Sequence, residues 1–360
     1  MRIGASRRAV DGTVMKLGLV VRFPDAAGLD LAPVLEAEKL GFSSVWVGEA
    51  YGSDAVSPAA WMLARTSTIK VGTGIMQMAA RTPACAAMTT MTLQALSGGR
   101  FLCGIGPSGP QVVEGWHGMP YGKPHARTRE YAAIIRQVLA RQGPLEHQGE
   151  HYRIPYDGPG ATGLGKPLKS IIHGDPAGLR IYTAAISPAG LRTAGEIADG
   201  VLPIYMAPEK AALVTAPVLE GLAKAGRPAR LADFDIAPYV RIRMGDDLAA
   251  CRDALRPELA LYIGGMGARN RNFYNDFVKR LGFEADAVAI QDHFLAGRRK
   301  DAEAAVPDRL IDEICLIGTR DRIKDRLQAW KAVGCDHAVG SILLAGATID
   351  SLRVVAEAVL

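Results

Sequence analysis

Eight short runs rich in Val, Ile, Leu and aromatic residues recur along the chain, and their alternation with amphipathic stretches restricts its fold more than anything else does. The runs are KLGLVV (16–21), SSVWVG (43–48), IKVGTGI (69–75), RFLCGIG (100–106), RIYTAAI (180–186), GVLPIY (200–205), FDIAPYVRI (234–242) and HAVGSILLAG (337–346). Continuous apolar runs of this length mark strands covered on both faces. Between most of them, apolar residues recur at spacings of three and four, over 31–40, 85–96, 126–140, 188–198, 209–225 and 320–332. Strand, helix and strand in that order demand parallel pairing through right-handed crossovers. Over 360 residues, eight such units predict an α/β fold of the (β/α)8 TIM barrel type rather than an open doubly wound sheet.

Two stretches interrupt the rhythm. Residues 143–179 are crowded with Gly and Pro, and 258–310 read as mainly helical around the turn GGMGARNRN (264–272). They are expected to be insertions after strands 4 and 7, supplying a lid or wall at the face that carries chemistry. Residues 1–14 read as a disordered N-terminal extension, with Met15 a second candidate start, and 15–360 as one barrel domain. The extension has basic residues but no apolar core, so no secretory leader is expected.

The apolar runs are too short to span a bilayer. A net charge of +5, from 42 basic and 37 acidic residues, is a mild excess. Its densest cluster, Arg298-Arg299-Lys300, has no interleaved aromatics and reads as a solvated helix end rather than a nucleic-acid site. Five cysteines without a C-x-x-C pair suggest a reduced, cytoplasmic protein. The seven histidines lack metal-ligand spacing, and no G-x-S-x-G elbow points to a hydrolase.

Gly104-Ile-Gly106-Pro-Ser-Gly109 matches the dinucleotide pattern G-x-G-x-x-G. A Rossmann site needs that pattern in the first βα unit, with an acid about twenty residues on. Here it follows the fourth strand, and the only acid at that distance, Glu130, falls inside a helix. Pro107 and Pro110 also remove two N–H groups that a phosphate cradle would use. In a barrel the stretch is instead a rim loop that turns Ser108, Gly109 and Gln111 toward the central pocket.

Other strand ends carry candidate chemistry. Glu49, Tyr51 and Asp54 follow the second strand and could handle protons or hydrogen-bond a polar ring, while Glu49 could equally tie its loop to an arginine. Gly72 and Gly74 suggest backbone contact with a flat ligand or an unusual peptide geometry. Ser187-Pro188-Ala189-Gly190 reads as a helix N-cap or an anion site. His117, beside Trp116, is the histidine placed to face the pocket.

Several longer strings bring a family into view. At VGEAYGSDAVSP (47–58), ARTPACAAMTTMTLQALSGGRF (80–101), GIGPSGPQVVEGWHGMPYGKPHARTREY (104–131), YDGPGATGLGKPLKS (156–170), AGEIADGVLP (194–203), ALYIGGMGARNRNFYND (260–276) and AVPDRLIDEICLIGTRDRIKDRLQAW (305–330), the chain resembles the luciferase-like oxidoreductases. It is most similar to an actinobacterial branch that uses the deazaflavin coenzyme F420. The resemblance implies a hydride-transferring enzyme with a small organic substrate (a conjugated alkene, imine or carbonyl), assembled as a homodimer.

It also implies that the coenzyme ring lies against the third strand, with a non-proline cis peptide at Gly74-Ile75. Coenzyme contacts carry over to Glu49, Ala50, Gly74, Ile75, Met76, Gln77, Pro107, Ser108, Gly109 and Gln111, with Ala185, Ser187, Pro188, Ala189, Gly190 and Leu191 toward the phosphate. Members of the branch usually have Gly-Pro-Lys-Asn where this chain has Ser187-Pro188-Ala189-Gly190, so a phosphate-binding lysine is missing. The proton carriers that other deazaflavin enzymes place after strands two and four are absent too, which leaves Glu49, Tyr51 or His117, or solvent. FMN serving a monooxygenase, and a non-catalytic F420-binding protein, are the alternative readings.

Overall fold

Side chains alternate across each strand, and that alternation divides the core in two. The computed structural model describes residues 15–25 and 28–360, so the extension at 1–14 lies outside the described residues. Its strands are β1 (Lys16–Val20), β2 (Ser44–Val47), β3 (Lys70–Thr73), β4 (Met76–Gln77), β5 (Phe101–Gly106), β6 (His147–Gln148), β7 (Arg153–Ile154), β8 (Ile181–Ala184), β9 (Gly200–Leu202), β10 (Asp235–Ile236), β11 (Tyr239–Met244), β12 (Cys315–Gly318) and β13 (Ser341–Ala345). All but β6 and β7 join one sheet, in the order β10-β9-β8-β5-β3-β2-β1-β13-β11-β12, with β4 also on β5. Its pairings are parallel, as the strand–helix alternation requires.

The sheet curls back on itself. β10 and β11 are two halves of one run, interrupted at Ala237-Pro238, where proline cannot donate to a ladder. β10 pairs with β9 and β11 with β13. Across the break, Tyr239 N donates to Pro203 O (2.9 Å) and Leu343 N to Pro238 O (2.9 Å). The outer ends of β11 then pair with β12. This strand is only four residues long and follows directly on the helix Asp308–Ile314, and it is absent from the eight runs read in the sequence.

Inside the curl, Trp46, Leu102, Tyr182, Leu202, Ala237 and Leu343 fill a small core. Trp46 and Tyr182 meet edge to face, with centroids 4.9 Å apart. A Cβ on Gly72 would stand 2.3 Å from the Trp46 ring. Gly72 therefore makes room for an aromatic side chain and not for a ligand. The alternate residues, among them Val45, Val71, Cys103, Ile181 and Ile342, face the helices in the larger outer core.

Next to this core, the half-buried Asp235 carboxylate accepts from the Tyr182 hydroxyl (2.9 Å) and the Ser341 hydroxyl (3.0 Å). Burial pushes it above the usual carboxylate range despite those bonds. Among the described residues, no helix is long and apolar enough to cross a membrane.

The stretch 143–179 is not wholly irregular. It begins after the helix Pro124–Ala140 and contains the antiparallel hairpin β6–β7. Glu130 anchors that hairpin, accepting from the backbone N–H of Glu150, His151 and Tyr152 (3.0 Å each) and contacting His147 Nε2 at 3.3 Å. The acid spaced for a Rossmann ribose thus holds a hairpin against a helix.

Burial alone would raise the Glu130 carboxyl, but the donors from His151, Tyr152, His147 and Glu150 hold it lowered. A depressed folded value stabilises above the unfolded one, near 4.3, and that contribution is lost as pH falls through the folded value. Glu130→Gln is expected to remove about 1–2 kcal/mol and to raise amide exchange at 149–152 at pH 7. Lowering the pH of the wild type below about 4 should release the same amides.

Candidate active site

The site forms where β3 stops pairing regularly with β5. Gly72 lies opposite Leu102 and Met76 opposite Ile105, so one edge takes four steps while the other takes three. The extra residue makes a bulge. Thr73 replaces the lost ladder bonds, its hydroxyl donating to Gly104 O (2.8 Å) and accepting from Gly104 N (3.0 Å). The Gly74-Ile75 peptide in the bulge is cis, as the resemblance implied. Gly74 N donates to Val47 O (2.7 Å), and the Tyr239 hydroxyl donates to Gly74 O (3.0 Å). Three glycines crowd this end: a Cβ would approach Gly74 O from Gly48, the Tyr239 hydroxyl from Gly74 and the Ile75 side chain from Gly106. With Ala184 and Ala185 they make a floor, against which the Tyr239 hydroxyl, the Ile75 side chain and the Phe23 ring pack closely.

Beside the floor lies a polar cluster. Glu49 forms a bidentate pair with Arg81, at 2.8 and 2.9 Å, and its carboxylate also accepts from Gln77 N (2.6 Å) and Ala55 N (3.3 Å). The two side chains are only 6% and 14% exposed. The bonded carboxylate raises the already high pKa of Arg81. Gln77 continues the chain, its Nε2 donating to Glu49 O (3.0 Å) and its Oε1 lying 2.8 Å from His117 Nε2. Of the two sequence readings of Glu49, the arginine tie is present. Asp54 caps the helix Val56–Arg65 through the N–H groups of Val56 and Ser57 (2.8 Å each). These bonds lower its carboxyl although burial opposes them.

The remaining expected residues divide by position. Tyr51 is exposed and tilts against Trp116, with ring centroids 6.5 Å apart. Ala50 is half-buried in the same loop. Pro107, Ser108 and Gly109 form the turn after β5, with Ser108 at φ 59°, and Gly109 caps the short helix Pro110–Gly115 that carries the exposed Gln111. Met76 and Leu191 belong to the outer core that faces the helices. Only their backbones remain for the open end.

Ser187 is the N-cap of the helix Pro188–Ile197, its hydroxyl accepting from Gly190 N (3.1 Å). A Cβ on Gly190 would meet the Ala185 methyl, the Ser187 hydroxyl and the His125 ring. Arg280, from the helix Phe273–Arg280, donates to Ile186 O (2.8 Å) and has no ion pair among the described residues. Burial lowers its pKa, and burial also lowers that of His125, with help from Arg129 and Arg192. Sequence reasoning missed Thr73, Arg81, Tyr239, His125 and Arg280. Arg81 and His125 lay inside quoted strings and Thr73 and Tyr239 inside strand runs, with nothing local to mark their roles, while Arg280 comes from a distant helix. Among the described residues, no group of three His, Cys, Asp or Glu side chains could hold a metal ion.

The chain is similar to known proteins over most of its length. The family model for luciferase-like monooxygenases matches residues 30–337. The chain is 42% identical over 324 residues to Rv3520c of Mycobacterium tuberculosis, provisionally named a coenzyme F420-dependent oxidoreductase, covering 89% of this chain and 93% of that one. Its fold is shared with the coenzyme F420-dependent tetrahydromethanopterin reductase of Methanopyrus kandleri, at a TM-score of 0.75 and 22% identity over 96% of this chain and 98% of that one. It is shared also with an F420-dependent secondary alcohol dehydrogenase in complex with an F420-acetone adduct, at 0.73 and 18% over 96% and 98%.

Proposed function

The chain belongs to the luciferase-like monooxygenase family, and from that premise we infer that it is a coenzyme F420-dependent oxidoreductase. The observation that carries this reading is the 42% identity to the mycobacterial protein named for that coenzyme, which extends over nearly the whole of both chains. The curled sheet is then an eight-unit barrel with its insertions after the fourth and seventh strands, acting in the cytoplasm on a small organic molecule.

The residues at the open end fit the coenzyme. The bulge at Gly74-Ile75, with the small Ala184 and Ala185 after β8, suits a flat ring. Ser187, the helix end behind it, His125 and Arg280 suit a phosphate. Bound F420 supplies a hydride donor or acceptor at carbon. The protein's part is to stack ring and substrate closely and to exclude water. Gly74, Ile75, Met76 and Gln77 carry the ring on one side, held by Glu49 and Thr73. Ala50, Pro107, Ser108, Gly109 and Gln111 border it, and residues Ala185 to Leu191 take the phosphate arm. Glu49, Tyr51 and His117 remain the proton-handling candidates, for an alkene, imine or carbonyl acceptor.

Where the branch has a lysine at Ala189, we assign its charge to Arg280. Arg280→Ala is expected to weaken F420 binding by about 10- to 100-fold, the weight of one charge-assisted contact. Ala189→Lys in that background should restore most of the loss, and fluorescence titration measures both.

A homodimer is supported by the helix Pro83–Ser97, which has no charged residue yet leaves Met88 and Leu96 62% and 78% exposed. Light scattering should give twice the chain mass.

Reconstitution with reduced F420 and, separately, with reduced FMN tests the whole reading. Tight FMN binding with oxygen-dependent product formation, and no binding of F420, would overturn it.

A further inference from the structure

One side chain at the rim has its chemistry decided by a neighbour. Gln77 is buried, 1% exposed. Its amide spans two partners, Glu49 O at 3.0 Å from Nε2 and His117 Nε2 at 2.8 Å from Oε1. A backbone carbonyl can only accept, so the amide nitrogen must face Glu49 and the amide oxygen must face His117. That oxygen can only accept in turn, so His117 Nε2 must carry a hydrogen. The imidazole has no freedom left: in its neutral form, Nδ1 is the bare nitrogen. Nδ1 has no hydrogen-bond partner among the described residues, and the ring is half-buried. The charged groups of the same rim are engaged elsewhere, Glu49 with Arg81, Asp54 with the N–H groups of Val56 and Ser57, and Glu114 with Tyr121 N.

We propose that Gln77 is a positioning residue that fixes His117 as its Nε2–H tautomer and so makes Nδ1 the nitrogen that exchanges a proton with substrate. The tautomer follows from the hydrogen bonds alone, whereas the proton transfer rests on the hydride-transfer reading above. In the reducing direction, the imidazolium gives its Nδ1 proton to the oxygen or nitrogen of a C=O or C=N group as that group's carbon gains a hydride from the reduced deazaflavin. Two electrons and one proton from the coenzyme, with one proton from His117, saturate the double bond. The ring is left neutral with hydrogen on Nε2, the form that Gln77 holds, and solvent recharges Nδ1. Oxidation runs the same exchange backwards, with Nδ1 as the base.

The test begins without coenzyme. In protein labelled with nitrogen-15 at histidine, the His117 signals are those that vanish in His117→Asn, and their couplings report which nitrogen carries hydrogen. The wild type should show Nε2–H alone in the neutral ring. Gln77→Met should give a mixture or the other tautomer, while Gln77→Glu should keep Nε2–H and hold the ring cationic to higher pH. An Nδ1–H form in the wild type, or a tautomer unchanged in Gln77→Met, overturns the proposal whatever the coenzyme proves to be.

With F420 and a turned-over carbonyl or imine, His117→Asn should lower kcat by about 100-fold or more. It should also remove the matching limb of the pH profile and leave F420 affinity within about twofold, well short of what one good contact supplies. Unchanged kcat would refute the proton role. Absence of F420 binding in the wild type would instead refute the cofactor reading and leave the tautomer result standing.

Discussion

Gly104→Ala is expected to leave little folded protein, although it adds a single methyl group. The added Cβ would stand 1.7 Å from Thr73 O and 2.9 Å from the Thr73 carbonyl carbon. Those atoms are backbone, held by the bulge and by the two bonds between the Thr73 hydroxyl and Gly104. A flexible side chain could swing aside, but here β3 or β5 must move, and each is paired on both edges. Overpacking usually costs about 1–3 kcal/mol, and a clash with fixed backbone belongs at or beyond the top of that range. Denaturant melts should show the loss in the midpoint, together with loss of coenzyme binding, since the floor is the same strand pair. Thr73→Val serves as the control. It keeps the shape and strands two buried backbone groups, so about 2–4 kcal/mol should go without any clash. A Gly104→Ala protein as stable as the wild type would show that the bulge is not rigid.

The strand–helix rhythm made the curled parallel sheet legible because period and burial are written locally in each run. Gly72 and Gly74 hinted at an unusual peptide geometry, but a cis bond placed at Gly74-Ile75 came from the family resemblance, since nothing in Gly-Ile itself demands it. Gly72 looked like a ligand contact because a glycine near a strand end fits either role. Its neighbour Trp46 sits one strand away, so the packing reason appears only once β2 and β3 are in register. Glu130 shows the same limit from the other side, since spacing marked it as a helix residue but could not show which hairpin lies against it. Arg280 is the extreme case. It reaches Ile186 O across 94 residues, and its part at the helix end depends on how the segment between β11 and β12 folds back. Contacts of that kind depend on long-range topology, which apolar periodicity does not encode.

Arg81→Met is the other substitution expected to act strongly, and it separates a structural part for Glu49 from a chemical one. Removing the guanidinium leaves a carboxylate that is 6% exposed with only backbone donors, Gln77 N and Ala55 N. An uncompensated buried charge of this kind costs about 3–5 kcal/mol. Glu49→Gln should be comparably harmful, because Arg81 is then the unpaired partner. In the double variant Glu49→Gln with Arg81→Met, neither charge remains and an amide oxygen still faces the two N–H groups. It should therefore recover about 1–3 kcal/mol relative to the sum of the single variants. Coenzyme affinity should follow stability across the set, since Glu49 holds the segment Met76–Gln77 that borders the floor. If the double variant regains stability and binding while turnover stays lost, Glu49 has a chemical part in the reaction beyond holding that segment. If turnover returns with stability, Glu49 acts through position alone, and the exchangeable proton is left to His117, Tyr51 or solvent.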